Sequence, residues 1–540
     1  MAIDNGVVDG RQRIAGGVIV SWISQLILIA SGFIIPRWID HGLGRETLGV
    51  WDLAWSFVSY LSLLEAGIGS SVNRHVALHL VKDDIKSVNR VVSSVALVQQ
   101  AAGLLVLGLT LAIAFNLQLF VGDLPVSLAT DTKWLVLLLG LSVAFSFSGA
   151  IYTGVLTGCH RWASHHTVYA CTNLINAVGM CWVLKAGSGI VALAVVHLAG
   201  EILGRIVRAV LAYRACPGLS VRFRNIDLAT AREMMGFGGR MFMGRMSGVF
   251  MIQTVNILIA AYFGPAALAL FARPRSLIRQ AAVFPQKYAF MLAPATAALS
   301  ADHSRGELRR FVTDATRYGI CISLPLMVLL AVDGGPLLKI WMGEAYADAS
   351  LILLLTLGFT AEIVYQPLNS LLLGLNLHGR PGFFSVVAAA CAAAAAWLVL
   401  KFGGGLSAVA IAIGIPWSIV NGVYLPYYTC RRLDIPLGSF FKAVWGTPTL
   451  CAIPFALALV GGQFAFPDKP LSALFSGGTV GVVILLVLYW VWVIPENSKR
   501  EIKEKLHLPK GPGPVMQQSN QKLQPELIAM TSRETRDRQL

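Results

Sequence analysis

The stretch GPAALALFARPRSLIRQAAVFPQK, residues 264–287, decides how the rest of the chain is interpreted. It opens with a Gly-Pro turn, continues as an apolar run, and then carries Arg273, Arg275 and Arg279 where membrane is still expected. Wound as a helix, the stretch places its polar side chains on one half of the surface; these are Arg273, Arg275, Ser276, Arg279, Gln280, Gln286 and Lys287. Three arginines facing lipid would cost roughly 8–10 kcal/mol. The pattern therefore predicts a transmembrane helix whose arginines face protein or a water-filled cavity.

Two environments can hold these arginines. They could pair with acids on neighbouring helices, or they could line a wet, cationic cavity that accepts an anionic solute. Few acids are expected at membrane depth, and these are Asp52, Glu65, Glu201 and Glu362. Because they are so few, the sequence favours the cavity.

The composition indicates an all-α polytopic membrane protein. Of 540 residues, 56% are hydrophobic and 13% charged, with a mean hydropathy of +0.67, which excludes a soluble globular protein. The net charge of +15 reflects lysines and arginines in loops on one side of the membrane, so it indicates no nucleic-acid partner. The eight cysteines lack metal-ligand spacing, and neither a metal nor a cofactor is expected.

Fourteen apolar runs are long enough to span a bilayer. They cover residues 14–37, 47–70, 91–115, 134–158, 167–184, 190–212, 239–262, 266–290, 311–331, 350–374, 383–401, 406–429, 443–462 and 473–494. With an even number of spans both termini lie on one side. That side holds 31 of the 43 lysines and arginines and the opposite side 7, so both termini are predicted to be cytoplasmic.

An internal repeat divides these spans. A shift of 220 residues brings Gly44 onto Gly264 and Leu48 onto Leu268, and it aligns two basic loops. The repeat predicts two six-helix lobes of parallel topology. The expected segments are an N-terminal lobe (1–212), an amphipathic cytoplasmic connector (213–238), a C-terminal lobe (239–430), two extra helices (431–495) and a disordered cytoplasmic tail (496–540).

The repeat also points to a site between the lobes. Ser59 and Tyr60 of the second span align with Arg279 and Gln280 of the eighth, and Gln25 of the first aligns with Arg245 of the seventh. The predicted substrate-binding residues of the cavity are Arg245, Arg273, Arg275, Arg279, Lys287, Gln25, Ser59 and Tyr60. Asp52 and Glu65 are candidates either for ion coupling or for pairing with the arginines. Four aromatic residues could stack on sugar rings, although membrane anchoring or core packing also explains them; these are Trp22, Trp51, Trp55 and Tyr60.

Three motifs resemble the polysaccharide transporter family of the multidrug/oligosaccharidyl-lipid/polysaccharide exporter superfamily. They are GRETLGVW at 44–51, LEAGIG at 64–69 and GPAALALF at 264–271. The resemblance implies a non-enzymatic flippase in the bacterial inner membrane, with a V-shaped pair of lobes. It implies a substrate built on undecaprenyl pyrophosphate that carries an oligosaccharide for O-antigen, lipopolysaccharide or related surface polysaccharide. A polysaccharide polymerase and chain-length machinery are possible partners.

Two alternatives stay open. A cation-coupled multidrug extruder of the same superfamily is disfavoured by the excess of arginine. A membrane-embedded glycosyltransferase or polymerase would need catalytic carboxylates, and the acids of the two longest outer loops (116–133 and 332–349) are expected to be solvated; these are Asp123, Asp131, Asp333, Glu344 and Asp348. His160, His165 and His166 are expected in a solvated cytoplasmic loop.

Overall fold

The computed structural model describes residues 2–65, 68–120, 126–301, 305–496 and 499–500. Side chains are described for residues 20–64, 72–120, 128–234, 246–300, 305–496 and 499–500. Throughout these ranges the regular structure is helical, and no strand occurs. The described residues divide into two units, with the boundary between Leu485 and Leu486.

Seven helices make up the first part of the chain. Their bounds are α1 (Ala2–Leu43), α2 (Arg45–Ser62), α3 (Ile68–Val81), α4 (Ile85–Phe115), α5 (Val126–Gly158), α6 (Trp162–Lys185) and α7 (Ile190–Ala215). The predicted second span, 47–70, thus consists of α2, a 3₁₀ turn at Leu63–Glu65 and the start of α3.

The remaining helices begin with α8, which is the longest. Their bounds are α8 (Leu228–Phe290), α9 (Leu292–Ala301), α10 (Arg305–Met342), α11 (Ala349–Val364), α12 (Gln366–Gly374), α13 (Gly379–Lys401), α14 (Leu406–Ser418), α15 (Leu425–Leu433), α16 (Leu437–Ala465) and α17 (Pro470–Leu488). A π-helical segment, Ile419–Tyr424, joins α14 to α15. In the second unit, Tyr489–Val493 continues α17 as a π turn, and the predicted tail from residue 501 lies outside the described residues.

Twelve helices in the described part of the chain are long and apolar enough to cross a membrane. One of them, Met246–Ser300, contains the sharp bend of α8 at Gly264, so it holds two of the predicted spans. α2 is not among the twelve because it carries Arg45, Glu46 and Asp52, yet most of its residues are buried. The protein is therefore an all-α, multi-pass membrane protein, and its helices correspond to the fourteen predicted spans.

The backbone confirms the repeat at its most demanding positions. Gly44 has φ 89° and ψ 165°, and Gly264, which is 220 residues later, has φ 81° and ψ 170°. This region of conformational space is essentially restricted to glycine. The same shift relates the ends of α3 and α9 (Val81 and Ala301) and the starts of α4 and α10. Both halves thus begin their second span with the same turn.

The largest apolar core draws buried side chains from both halves of the repeat, from Ile39 of α1 to Trp417 of α14. α2 and α8 approach each other closely at Gly49. A Cβ added at Gly49 would lie 1.8 Å from the carbonyl oxygen of Pro265, so only glycine allows the two backbones to approach so closely. This contact places the polar face of α2 against the arginine-bearing part of α8.

The connector between the halves begins as a loop bound to α4. Asn89 accepts from the backbone N–H of Ser220 at 2.7 Å, and Ser94 accepts from the N–H of Asp227 at 2.9 Å. Asp227 caps α8, and its pKa is held below its usual value by hydrogen bonds from the Thr230 hydroxyl and from backbone N–H groups. α8 begins inside the predicted connector (213–238), at residue 228, and continues unbroken to Gly264, since no proline interrupts that stretch.

Candidate functional site

An ion pair lies where α2 meets α8. Both carboxylate oxygens of Asp52 accept hydrogen bonds from Nη2 of Arg273. The side chains are only 15% and 5% exposed, respectively, so the pair is nearly excluded from solvent. Pairing is thus the arrangement that the structure gives to Asp52, and its partner is Arg273.

Arg273, Arg275 and Arg279 form the arginine row of α8. Unlike Arg273, the other two are not neutralised by an ion pair with any described side chain. Arg275 is half-buried and Arg279 is exposed. The acids at membrane depth have other neighbours: Glu201 lies 3.6 Å from Arg208 of its own helix, and Glu362 accepts at 2.7 Å from the indole N–H of Trp417. Among the side chains that the structure describes, no carboxylate forms an ion pair with Arg275 or Arg279.

α2 is also held to α8 beyond the ion pair. The side-chain amide of Asn256 donates to the hydroxyl of Ser56 at 2.9 Å, and the hydroxyl of Tyr60 donates to the carbonyl of Phe250 at 3.0 Å. Ser59 is half-buried and donates to the carbonyl of Trp55, one turn earlier. Tyr60 therefore fixes the interface between the two helices, and its hydroxyl is already used.

A cavity of about 640 Å³ lies apart from the arginine row. α1 contributes Ser21, Ser24, Gln25 and Leu28; α3 contributes Asn73; α5 contributes Ser146, Gly149, Ala150, Thr153, Gly154 and Thr157; α6 contributes Trp162, His165, His166 and Tyr169; α7 contributes Glu201 and Arg208; and α8 contributes Lys287. Of the predicted site residues, the structure brings Gln25 and Lys287 together here. Arg273, Arg275 and Arg279 do not line this cavity. The side chains of Arg245 and Glu65 lie outside the described residues.

Two expectations about loop residues are wrong. His165 and His166 belong to α6, which already begins at Trp162, and both line the cavity. Trp162 and His166, and likewise His165 and Tyr169, are four residues apart, a spacing that places their rings on one face of a helix. The predicted helix starts only at residue 167, so this spacing was not recognised in the sequence.

Asp333 is not a solvated loop acid. α10 extends to Met342, because the apolar residues around Pro336 continue the helix, and Asp333 is 2% exposed. Its carboxylate accepts from the side-chain amide of Gln463 at 2.6 Å, which joins α10 to α16. Asp131 likewise lies on a helix, α5, whereas Asp123 lies outside the described residues.

The C-terminal ends of α1 and α10 are bound to each other. Arg37 donates to the carbonyl of Ile340 at 2.7 Å, the indole N–H of Trp341 donates to the carbonyl of Phe33 at 2.7 Å, and Tyr346 donates to Asp40 at 2.5 Å. These bonds join the two halves of the repeat at the end of α1 that is opposite the cavity, since Ser21 and Gln25 lie toward the other end.

The model of the polysaccharide biosynthesis protein family matches residues 43–351, more than half of the chain. The chain belongs to this family. Among curated proteins, the "Putative O-antigen transporter" of Shigella flexneri is 24% identical in an alignment of 354 positions that covers 62% of this chain and 78% of that protein.

Solved structures show which fold this member of the family has. An inward-facing multidrug resistance MATE transporter of the MOP superfamily is 14% identical, with a TM-score of 0.67 over 79% of this chain and 99% of its own. The lipid II flippase MurJ in an inward closed conformation is 15% identical, with a TM-score of 0.66 over 90% and 99%. A MOP-superfamily transporter from Pyrococcus furiosus has a TM-score of 0.61 at 14% identity, over 79% and 96%. The fold is thus the two-lobe fold of MOP-superfamily transporters.

Proposed function

We propose that this protein is a flippase that moves an oligosaccharide linked to undecaprenyl pyrophosphate from the cytoplasmic to the periplasmic leaflet of a bacterial inner membrane. One observation carries the proposal: Arg275 and Arg279 lie beside the Asp52–Arg273 pair, at membrane depth, with no acid paired to them among the described side chains. A fixed excess of positive charge in such a place favours an anionic substrate.

Pyrophosphate suits this arrangement chemically. An arginine donates two parallel hydrogen bonds to phosphate oxygens, and each charge-assisted contact contributes roughly 1.5–3 kcal/mol. The substrate-binding set of the proposal is Arg273, Arg275 and Arg279 with Arg245, and Lys287 serves the cytoplasmic end. Asp52 then keeps Arg273 in position and lowers the charge of the empty site.

Alternating access of two lobes completes the proposed mechanism. The hydrogen bonds of Arg37 and Trp341 hold together the C-terminal ends of α1 and α10, which are the outer ends in the predicted topology. The cavity lies toward the opposite end of α1, which the charge distribution assigns to the cytoplasm. Opening the outer end would require these bonds to break while the cytoplasmic end closes. The relationship to a protein named as an O-antigen transporter supports a polysaccharide intermediate as cargo, which a polymerase and chain-length machinery would then consume.

The test measures export of surface polysaccharide in cells whose only flippase is this chain, at matched membrane levels. Arg279→Ala should weaken binding of the glycolipid about 10- to 100-fold, because about 1.4 kcal/mol corresponds to one decade. Arg279→Lys should recover part of the loss, since it keeps the charge without the planar fork. Arg232→Ala is the matched control, because it removes an exposed arginine of the same helix far from the site.

Full export by Arg275→Ala and Arg279→Ala, singly and together, would remove the support for an anionic substrate. Equal losses in these variants and in Arg232→Ala would also contradict the proposal, because they would show a general dependence on charge.

A further inference from the structure

Four rings of α6 form a row along the cavity. Trp162 and His166 are stacked, with ring centroids 6.5 Å apart and an angle of 25°, and His165 and Tyr169 are stacked at 6.5 Å and 27°. His165 and His166 join the two pairs at 5.1 Å. Trp162 and Tyr169 remain 41% and 38% exposed, although both line the cavity. Both side chains thus keep accessible surface, unlike buried core aromatics, and a histidine ring is stacked beside each of them.

Polar groups surround the ring row. The hydroxyl and amide groups of α1, α3 and α5 listed above face the same space, and its charged residues are Glu201, Arg208 and Lys287. Arg208 is 8% exposed, and its Nε, like Nδ1 of His165, is buried without a hydrogen-bond partner in the described part of the chain. Flat ring faces beside many donors and acceptors suit sugars, which present C–H faces and hydroxyl edges. The volume is within the roughly 300–1,000 Å³ of small-molecule sites.

The cavity and the arginine row lie along the same helix. Lys287 follows Arg279 by eight residues, or about 12 Å of helix at 1.5 Å per residue. On the facing helix, Gly32 of α1 lies against Gln280, and Gln25, two turns earlier in α1, lines the cavity. A headgroup whose phosphates contact Arg279 can therefore extend its sugars along α1 and α8 toward the ring row.

We infer that the cavity at α6 is a carbohydrate subsite, which binds the sugar part of the lipid-linked substrate while the arginine row binds its pyrophosphate. Trp162 and Tyr169 stack on sugar rings, and Lys287 and Arg208 contact hydroxyl or acidic groups. This inference rests on the proposed function, and it assigns the two parts of the substrate to two separate places.

Two probes separate the two places. The full-length protein in nanodiscs is titrated with farnesyl diphosphate, which has no sugar, and with the polyprenyl-diphosphate glycolipid fraction extracted from the same cells. Trp162→Ala and Tyr169→Ala should each weaken glycolipid binding about threefold to tenfold, and farnesyl diphosphate binding should be unchanged. Tyr169→Phe, which keeps the ring, should retain most of the affinity. Trp182→Ala is the control, because Trp182 lies on α6 but is 71% exposed and does not line the cavity.

Each outcome decides the question. Loss of affinity for glycolipid alone supports the subsite. Unchanged affinity for both probes overturns it, and an equal loss for both probes also does, because it marks the rings as structural. If Arg279→Ala still weakens farnesyl diphosphate binding, the proposed function survives these results. If the unaltered protein binds neither probe, the proposed function fails and the subsite fails with it.

Discussion

Replacing Asp52 with asparagine is expected to destabilise the protein strongly, although it removes only one charge. The change leaves the guanidinium of Arg273, 5% exposed, without its counter-charge. Removing one partner of a buried pair typically costs about 3–5 kcal/mol. Arg273→Met alone should cost a similar amount, because it leaves the carboxylate unpaired.

The double variant Asp52→Asn with Arg273→Met should recover most of this loss, since no buried charge is then left unpaired. A double-mutant cycle should accordingly give a coupling of about 3 kcal/mol. The matched control is the pair of Arg309 and Asp434, which are 3.2 Å apart but 41% and 71% exposed. Its coupling should stay below about 1 kcal/mol.

Reversible unfolding in mixed micelles measures both cycles, and surface polysaccharide export is followed in parallel. A coupling at Asp52–Arg273 no larger than that of the exposed pair would refute the reasoning. The charge reversal Asp52→Arg with Arg273→Asp separates pairing from ion coupling. Export that returns in the reversed pair supports pairing, whereas export that stays absent in a stable reversed pair favours a separate role for the carboxylate.

Three further outcomes are expected. Gly44→Ala and Gly264→Ala should each lower the free energy of unfolding by about 1–3 kcal/mol, because both positions have positive φ. Gly42→Ala is the control and should be neutral, because there is open space around Gly42. Equal values for all three variants would contradict this prediction. The lowered pKa of Asp227 means that its cap stabilises α8 above about pH 3.8 and is lost as the pH falls below that value; Asp227→Asn should remove this pH dependence from local amide exchange. A reporter that is active only in the periplasm should stay silent when fused after Lys510, and activity there would refute the predicted topology.

The sequence was sufficient to predict the repeat, because both halves need a glycine at the turn that precedes their second span. Gly44 and Gly264 adopt a conformation that only glycine tolerates, and helix length and apolar composition follow from bilayer thickness. The predicted boundaries failed where the apolar run was ambiguous, as at the start of α6, whose first turn carries Trp162 and two histidines instead of aliphatic residues.

The sequence by itself determined that α8 carries a row of arginines and that few acids could neutralise them, since helical periodicity and the cost of lipid-exposed charge are local arguments. It did not determine which arginine is paired. Only the approach of Gly49 to Pro265 brings Asp52 to Arg273 and leaves Arg275 and Arg279 unpaired. The ring-lined cavity was equally inaccessible to sequence reasoning, because it depends on the packing of six helices that extend from α1 to α8.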